Sequence, residues 1–358
     1  MTPDFWQDRR VLITGHTGFK GAWLAAWLDM LKARISGFAL APEGLPNLWS
    51  LLVLDDRIAQ TIADINDRAA LDAALARDRP EIVFHFAAQS LVRRSYHLPV
   101  ETFAANVLGV VSLLQAVARA PSVRAVVIAT SDKCYENLER AEPYTEADRF
   151  GGRDPYSASK GCAEIAAAAM RQSFFRPHAP EGHPARIATV RAGNVIGGGD
   201  WSEDRRVPDI IRGCLGPEQR AIIRAPRSIR PWQHVLEPLA GYMALAEKLH
   251  SGEEGFDSGW NFGPGAENER PVIALAQGLV ETLGRGRLEV VENPNAPHEA
   301  RILRLDASKA QRQLGWTPTL DFSQTLSMTA DWYARWAAGA QAADVTRQQI
   351  QAFTQKGI

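Results

Sequence analysis

The 358-residue sequence is poor in cysteine, poor in lysine and has no excess of either charge. Its three cysteines, Cys134, Cys162 and Cys214, are too few and too scattered for a disulfide framework or a metal centre, and they read as buried free thiols. So little cysteine fits a reducing, cytoplasmic setting. The 40 basic and 41 acidic residues nearly cancel, which argues against a general nucleic-acid binder. No run approaches the roughly 20 uncharged apolar residues that span a bilayer. The start, Met1-Thr2-Pro3-Asp4-Phe5-Trp6, lacks the basic residues and apolar stretch of a signal peptide. These absences predict a cytoplasmic protein with no membrane partner, no nucleic acid and no metal.

What is present is an ordinary globular composition, with 46% hydrophobic residues and a length that suggests two domains, or one large domain with a lobe. Only seven of the basic residues are lysines: Lys20, Lys32, Lys133, Lys160, Lys248, Lys309 and Lys356. Arginine is the default cation here. A lysine inside a motif therefore stands out as a cation able to lose its proton.

Short apolar, β-branched runs alternate with helical patterns through the first half. Val11-Leu12-Ile13 precedes a helix marked by Trp23, Leu24, Trp27, Leu28 and Leu31. Strand candidates follow at residues 35–40, 62–65, 82–86 and 125–129, separated by helical stretches over 69–76 and 100–118. Apolar strands alternating with helices predict an α/β fold, a doubly wound parallel sheet covered on both faces. Beyond residue 190 the texture changes to glycine-rich and charged loops. Strand signals appear there at 221–224 and 288–291, and helical ones at 235–249 and 323–338. We expect a dinucleotide-binding domain over 1–190 and a smaller mixed α/β lobe over 191–358. A segment near 231–250 should return to the first domain, and the polar tail after about Gly339 should be loosely held.

Gly15-His16-Thr17-Gly18-Phe19-Lys20-Gly21 spells G-x-x-G-x-x-G between the first strand and the first helix. Glycines there allow a tight turn and let the backbone approach a pyrophosphate seated on the helix N-terminus. The spacing suits the looser variant found in short-chain dehydrogenase/reductases. The second strand ends in Gly37-Phe38-Ala39-Leu40-Ala41-Pro42, with neither an acid for a ribose nor an arginine for a 2′-phosphate. NAD is preferred over NADP on that ground. Asp64-Ile65 reads equally as an adenine contact or as a solvated loop.

Two further motifs carry chemistry. Tyr156-Ser157-Ala158-Ser159-Lys160 is Y-x-x-x-K, and on a helix residues four apart share a face. An ammonium beside the phenol should lower its pKa from near 10, so that Tyr156 can take a proton from a sugar hydroxyl. Thr130-Ser131-Asp132-Lys133 follows an apolar strand at the carboxyl edge, where doubly wound proteins place their chemistry. The other reading of Asp132-Lys133 is a solvated turn pair. A simple dehydrogenase or epimerase needs only the hydroxyl and the tyrosine. A second acid–base pair implies a second proton transfer, such as elimination of water.

On these motifs the chain resembles the extended short-chain dehydrogenase/reductases, of the NAD-dependent epimerase/dehydratase group. Within them it is similar to the CDP-glucose 4,6-dehydratases, over about residues 5–336. Further matching stretches are Arg191-Ala192-Gly193-Asn194-Val195-Ile196-Gly197-Gly198-Gly199-Asp200-Trp201, Ile229-Arg230-Pro231-Trp232-Gln233-His234-Val235 and Trp260-Asn261-Phe262-Gly263-Pro264. Lys133 is the most specific element, since the dTDP-glucose and GDP-mannose dehydratases carry glutamate after the acid.

The resemblance implies NAD held by Gly15, Thr17, Gly18, Phe19, Lys20, Gly21, Asp64, Ile65, Ala87, Ala88, Tyr156 and Lys160. It implies a catalytic set of Ser131, Asp132, Lys133, Tyr156 and Lys160. Tyr156 would deprotonate the 4-hydroxyl, Lys133 would remove the proton from carbon 5, and Asp132 would protonate the departing 6-hydroxyl. Lys133 then has to be neutral, through burial or a nearby cation. A CDP-glucose substrate would meet Gln89, Ser131, Asn194, Arg230 and His298, with Arg230 as the pyrophosphate clamp. For His298 a plain loop histidine is an equal reading, and Arg93 and Arg94 read mainly as helix-surface charges.

The resemblance also implies a homodimer or higher homo-oligomer through residues 100–118 and 159–170, and a place in deoxysugar biosynthesis for lipopolysaccharide O-antigen. The same two helical patterns would equally serve helices packed only on their own sheet. Residues 138–146 depart from the family's aromatic pattern, as does Arg153, which puts sugar or base preference in question. The alternatives are a 4-epimerase or 4-reductase on the same fold, a 4,6-dehydratase for another nucleotide hexose, or a non-enzymatic dinucleotide-sensing protein.

Overall fold

A computed structural model describes residues 2–179, 181–291 and 303–357. Seven parallel strands form the central sheet: β1 (Arg10–Thr14), β2 (Arg34–Ala39), β3 (Ala59–Ile62), β4 (Ile82–His85), β5 (Ala125–Ala129), β6 (Arg186–Arg191) and β7 (Gly259–Asn261). Their order is β7-β6-β5-β4-β1-β2-β3. The winding reverses between β1 and β4, which are paired with Val11 opposite Ile82. A crevice opens at the carboxyl ends of strands at such a reversal.

Strand period decides which residues face which layer. Val11, Ile13, Ile82, Phe84, Val127 and Val190 enter one core, whereas Leu12, Val83, Val126, Ile128 and Ile187 enter the other. The second layer is covered by α2 (Arg68–Asp78), α3 (Pro99–Val117) and α4 (Pro155–Phe174). The first is covered by α1 (Phe19–Met30) together with a helix from much later in the chain.

After β6 come α5 (Arg206–Leu215), α6 (Leu236–His250), α7 (Val272–Leu283), α8 (Phe322–Ala337) and α9 (Ala342–Thr354). Three small pairings tie this part together: Arg220–Ile223 with Arg287–Val290, Ile229–Pro231 with Glu269–Pro271, and Val195–Ile196 with Gln233–His234. Helix α6 packs on β5 and β6 of the central sheet.

Several sequence expectations change. The tail after Gly339 is not loose: Val345, Ile350 and Phe353 of α9 are buried, and Phe353 meets Trp27 edge-on at 5.8 Å. Apolar side chains at positions 345, 350 and 353 of a polar-looking segment were enough, each contributing about 1.5–3 kcal/mol by burial. Cys134 and Cys214 are buried, but Cys162 is exposed. Among the described residues one helix, α3, is long and apolar enough by composition to cross a membrane, with a mean hydropathy of 1.6. It lies half-buried across the sheet, a layer helix whose one charge, Glu101, did not interrupt the pattern.

Candidate active site

The glycine loop closes at the head of the crevice. Gly15 has φ +74°, and a β-carbon there would sit 2.6 Å from the Ala87 nitrogen of the neighbouring strand end. Gly21 has no room either, because a β-carbon would meet the Gly15 carbonyl at 2.2 Å. These contacts hold α1 hard against the turn. Gly18 is the N-cap of α1 and supplies no side-chain cap, so the first-turn N–H groups remain available to an anion. Thr17 Oγ1 donates to the Leu40 carbonyl at 3.0 Å, tying the loop to the end of β2. Asp64 accepts from the Asn66 N–H at 2.8 Å, so one carboxylate oxygen is engaged in its own turn.

Helix α4 starts as its sequence directs. Asp154 caps it by accepting from the Ser157 N–H at 2.9 Å, and Pro155 occupies the first helical position. Tyr156, on the first turn, is thereby fixed, and its N–H donates to Ser95 Oγ at 3.1 Å. One turn further, the Lys160 ammonium lies 6.0 Å from the Tyr156 ring centre and donates to the Ala129 carbonyl at 3.4 Å.

The expected lowering of the Tyr156 pKa is not what results. Burial pushes the phenol above its ordinary value, and the charge of Lys133 and a hydrogen bond with Ser131 only partly oppose this. Lys160 itself is pulled down to about 8 by burial, against the pull of Glu164. Lys20, from the glycine loop, is pulled down to about 7 by burial and by the cations Arg205, Lys160 and Lys133.

Ser131, Asp132 and Lys133 form the turn after β5. Ser131 Oγ donates to Asp132 Oδ1 at 2.8 Å and accepts from the Lys133 N–H at 3.2 Å. The Lys133 ammonium stands 3.4 Å from the same carboxylate. Asp132 Oδ2 is buried without a partner and faces Gly193, where a β-carbon would come within 2.0 Å of it. The Lys133 side chain is 39% exposed, so burial does not surround this amine as it does Lys160.

A buried network stands behind the turn. Glu164, one turn beyond Lys160, accepts from Thr130 Oγ1 at 2.5 Å and Thr189 Oγ1 at 2.6 Å. It is also gripped by Arg191 through two bonds of 2.7 and 2.9 Å. Arg191 continues to the Tyr135 hydroxyl, which donates to Asn261 Oδ1 at 2.7 Å. These bonds tie α4, β5, β6 and β7 to the Asp132-Lys133 turn. Sequence reasoning missed this network because its members are far apart in the chain and single threonines or glutamates carry no spacing signal.

Asn106 was missed as well. It sits in a π-turn (Ala104–Leu108) within α3 and joins the Gln89 carbonyl at 3.0 Å to Ser159 Oγ at 2.8 Å. The Gln89 side chain is committed to its own loop, bonded to Leu91 and Thr102, rather than open toward a sugar.

One cleft of about 2280 Å³ gathers these groups. It is lined by Gly15, Thr17, Gly18, Phe19, Lys20, Gly21, Asp64, Ile65, Ala87, Ala88 and Gln89, by Ser131, Asp132, Lys133, Tyr156 and Lys160, and by Asn194 and Arg230. His298 lies outside the described residues. Asn194 holds φ +50°, which places it at the cleft wall beside Gln233. Arg205, also missed, reaches from the α5 cap to Asp200 at 3.1 Å and across to Ser90 Oγ at 3.0 Å. Arg93 pairs with Asp204 and Arg94 with Glu43, as surface charges do. Among the described residues no cluster of His, Cys, Asp or Glu could hold a metal.

Sheet order and cleft define a dinucleotide-fold protein with two acid–base groups at one sheet edge. The sequence profile of the family described as GDP-mannose 4,6 dehydratase matches residues 12–329, and the chain belongs to that family. It is 47% identical over 347 residues to the CDP-glucose 4,6-dehydratase of Salmonella typhimurium, covering 97% of this chain and 96% of that one. Its fold matches the UDP-glucose 4-epimerase of Thermotoga maritima, with a TM-score of 0.77, 21% identity and coverage of 92% and 99%. It also matches the dTDP-glucose 4,6-dehydratase of Bacillus anthracis solved with NAD, with a TM-score of 0.76, 20% identity and coverage of 94% and 99%. Epimerases and dehydratases share this fold, so the choice between them rests on the residues of the cleft.

Proposed function

We propose that this chain is an NAD-dependent nucleotide-sugar 4,6-dehydratase that converts CDP-glucose to CDP-4-keto-6-deoxy-glucose. The observation that carries the reading is the second acid–base pair, Asp132 and Lys133, in the same cleft as Tyr156 and Lys160. An epimerase has no use for it. The identity of 47% to a CDP-glucose 4,6-dehydratase supports the choice of base.

The cleft fits the cofactor. The uncapped α1 N-terminus and the close-packed Gly15 and Gly21 form a cradle for a diphosphate, and Asp64, Ile65, Ala87 and Ala88 line its continuation. Bound there, NAD would supply the hydride acceptor for carbon 4 and the hydride donor for carbon 6. Tyr156 takes the proton of the 4-hydroxyl, helped by Ser131 and the nearby cations. Lys133 removes the proton on carbon 5, which the 4-keto group has made acidic. Asp132, whose Oδ2 has no protein partner, delivers a proton to the departing 6-hydroxyl. Arg230 and Asn194 bind the sugar-nucleotide diphosphate.

The working unit in this reading is a cytoplasmic homodimer. Val100, Phe103 and Leu108 of α3 and Ile165 of α4 are exposed apolar side chains, Leu108 and Ile165 by 58% and 59%. Two such helix pairs make a four-helix bundle. Residues 1–190 hold the cofactor and 191–358 the nucleotide sugar, while α6 and β7 return to the first unit.

The test is incubation with CDP-, dTDP-, UDP- and GDP-hexoses and trace NAD, followed by mass spectrometry. Loss of one water from CDP-glucose without net NADH is expected. Water loss only from another nucleotide sugar would overturn the base assignment and make residues 138–146 the place to look. An isomer, or stoichiometric reduction, would overturn the dehydratase reading.

A further inference from the structure

Arg93 and Arg94 have no part in the chemistry proposed above, yet they reach to opposite sides of the cleft. Both belong to the short helix Val92–His97, which follows β4. Successive side chains on a helix diverge by about 100°, so three neighbours point three ways. Arg94 donates to both carboxylate oxygens of Glu43, at 3.0 and 2.7 Å, in the loop after β2. Arg93 donates to Asp204 Oδ1 at 2.9 Å, in the segment leading into α5. Ser95 Oγ accepts from the Tyr156 N–H at 3.1 Å and donates to the Val92 carbonyl at 2.6 Å, which pins the helix beside the start of α4. Just ahead of the helix, Ser90 Oγ accepts from Arg205 at 3.0 Å.

Glu43, Arg93, Arg94, Asp204 and Arg205 all line the one cleft. Glu43 belongs to the side that continues the glycine loop, since Thr17 is tied to the Leu40 carbonyl at the end of β2. Asp204 belongs to the side built after residue 190, with Asn194 and Arg230. The helix therefore joins the two sides while its middle is fixed at Tyr156. Its outer ties are of a kind that opens readily. The four side chains of the two ion pairs are 39–71% exposed, and such pairs hold weakly, whereas Ser95 is fully buried.

We propose that Arg93 and Arg94 are positioning residues that couple the two halves of the site, so that NAD and the nucleotide sugar each tighten the binding of the other. This rests on the reading given above, with NAD at the glycine loop and the nucleotide sugar on the later wall. A ligand on either side meets more of the cleft when that side is tied, and so favours the tied form. Tying one side sets the helix for the other, because both arginines ride on the same short helix. The gain is reciprocal: each ligand raises the affinity for its neighbour by the same factor.

The experiment is calorimetric titration of the full chain with NAD, alone and saturated with CDP, which cannot react. If the sugar of another base alone loses water in the test above, the diphosphate of that base is the probe. The quantity read is the ratio of the two NAD dissociation constants, expected to favour the diphosphate-loaded protein by about fivefold or more. Asp204→Asn suits the local φ of +56° and removes only the charge. It should leave NAD affinity without CDP within about twofold, yet bring the ratio to about one. Glu43→Gln should bring the ratio to about one as well. The exchange Glu43→Arg with Arg94→Glu, which rebuilds the pair in reverse, should restore it. A merely structural role would move stability or both affinities together and leave the ratio alone. A wild-type ratio of one overturns the coupling. So does a ratio that survives in either single variant, since it then belongs to direct contact between the ligands, and so does a reversed pair that restores nothing. Wild-type protein that removes no water from any nucleotide sugar would fail the reading of the site, a result seen separately from the binding ratio.

Discussion

All three lysines that line the cleft, Lys20, Lys133 and Lys160, come from the first 190 residues and form its floor beside Arg93, Arg94 and Arg153, whereas the wall built after residue 190 carries only arginines as cations, among them Arg205, Arg206, Arg224, Arg227 and Arg230. In a chain with 33 arginines and seven lysines, three lysines in one cleft mark a requirement. Burial can move a lysine toward neutrality, and here it pulls Lys160 to about 8 and Lys20 to about 7. Arg205 meets the same burial, yet its value ends above the ordinary one because Asp200 stands beside it. A fixed charge suits a diphosphate, and a movable proton suits the chemistry. In the proposed reading the floor is where protons move and the arginine wall is where the substrate is held.

The largest effect should come from the floor. Tyr156→Phe is expected to lower turnover by about 10²–10⁴-fold, read as water loss, while NAD affinity measured by calorimetry stays within about twofold. A comparable loss in NAD affinity would show that the residue binds rather than reacts. Lys133→Ala should cut water loss by a similar factor of about 10²–10⁴ but still oxidise carbon 4, so NADH absorbance should accumulate on mixing. If neither product nor NADH changes, Lys133 is outside the chemistry.

The wall should behave differently. Arg230→Ala is expected to raise KM by about tenfold or more, as loss of a charge-assisted bond to a phosphate does, with kcat little changed. A fall in kcat instead would blur the division between the two walls. Smaller still is the effect on assembly: Leu108→Glu with Ile165→Glu should shift light scattering from dimer to monomer and leave NAD binding intact. An unchanged mass would remove the α3–α4 face as the interface.

A last effect, on stability rather than activity, concerns the scaffold beneath the cleft. Burial pushes His85 and His234 each down to about 3, from an ordinary 6.5. The unfolded chain therefore binds more protons between those values, and stability falls as pH drops from 6.5 toward 3. Each histidine contributes up to about 1.4 kcal/mol per pH unit in that window. Denaturant midpoints of wild type and His234→Gln, compared at pH 7 and 5, should diverge. Parallel curves would mean that His234 is already protonated in the fold.

The parts of this molecule visible in its sequence were those built from neighbours in the chain. The glycine loop, the D-P-Y capping start of α4 and the apolar strands are local patterns whose physical reasons act within one turn or one strand. The site residues expected from these motifs and from the family resemblance, apart from His298, come to line one cleft. The Glu164–Arg191 network, the Asn106 bridge and the reach of Arg205 to Ser90 join residues 27, 53 and 115 positions apart, and no local pattern marks them. The α9 tail was misread for the same reason, since its apolar residues matter only because Trp27 is there to meet them.

Tyr156 shows the division most plainly. Helical spacing puts a lysine one turn from the phenol, and it says nothing about how much water the fold removes. Burial dominates, and the groups that partly offset it, first among them Lys133 and Ser131, come from the turn after β5. Which residues line the cleft was legible in the chain's motifs. The protonation states they hold there follow from desolvation and charge, which exist only once distant segments have packed together.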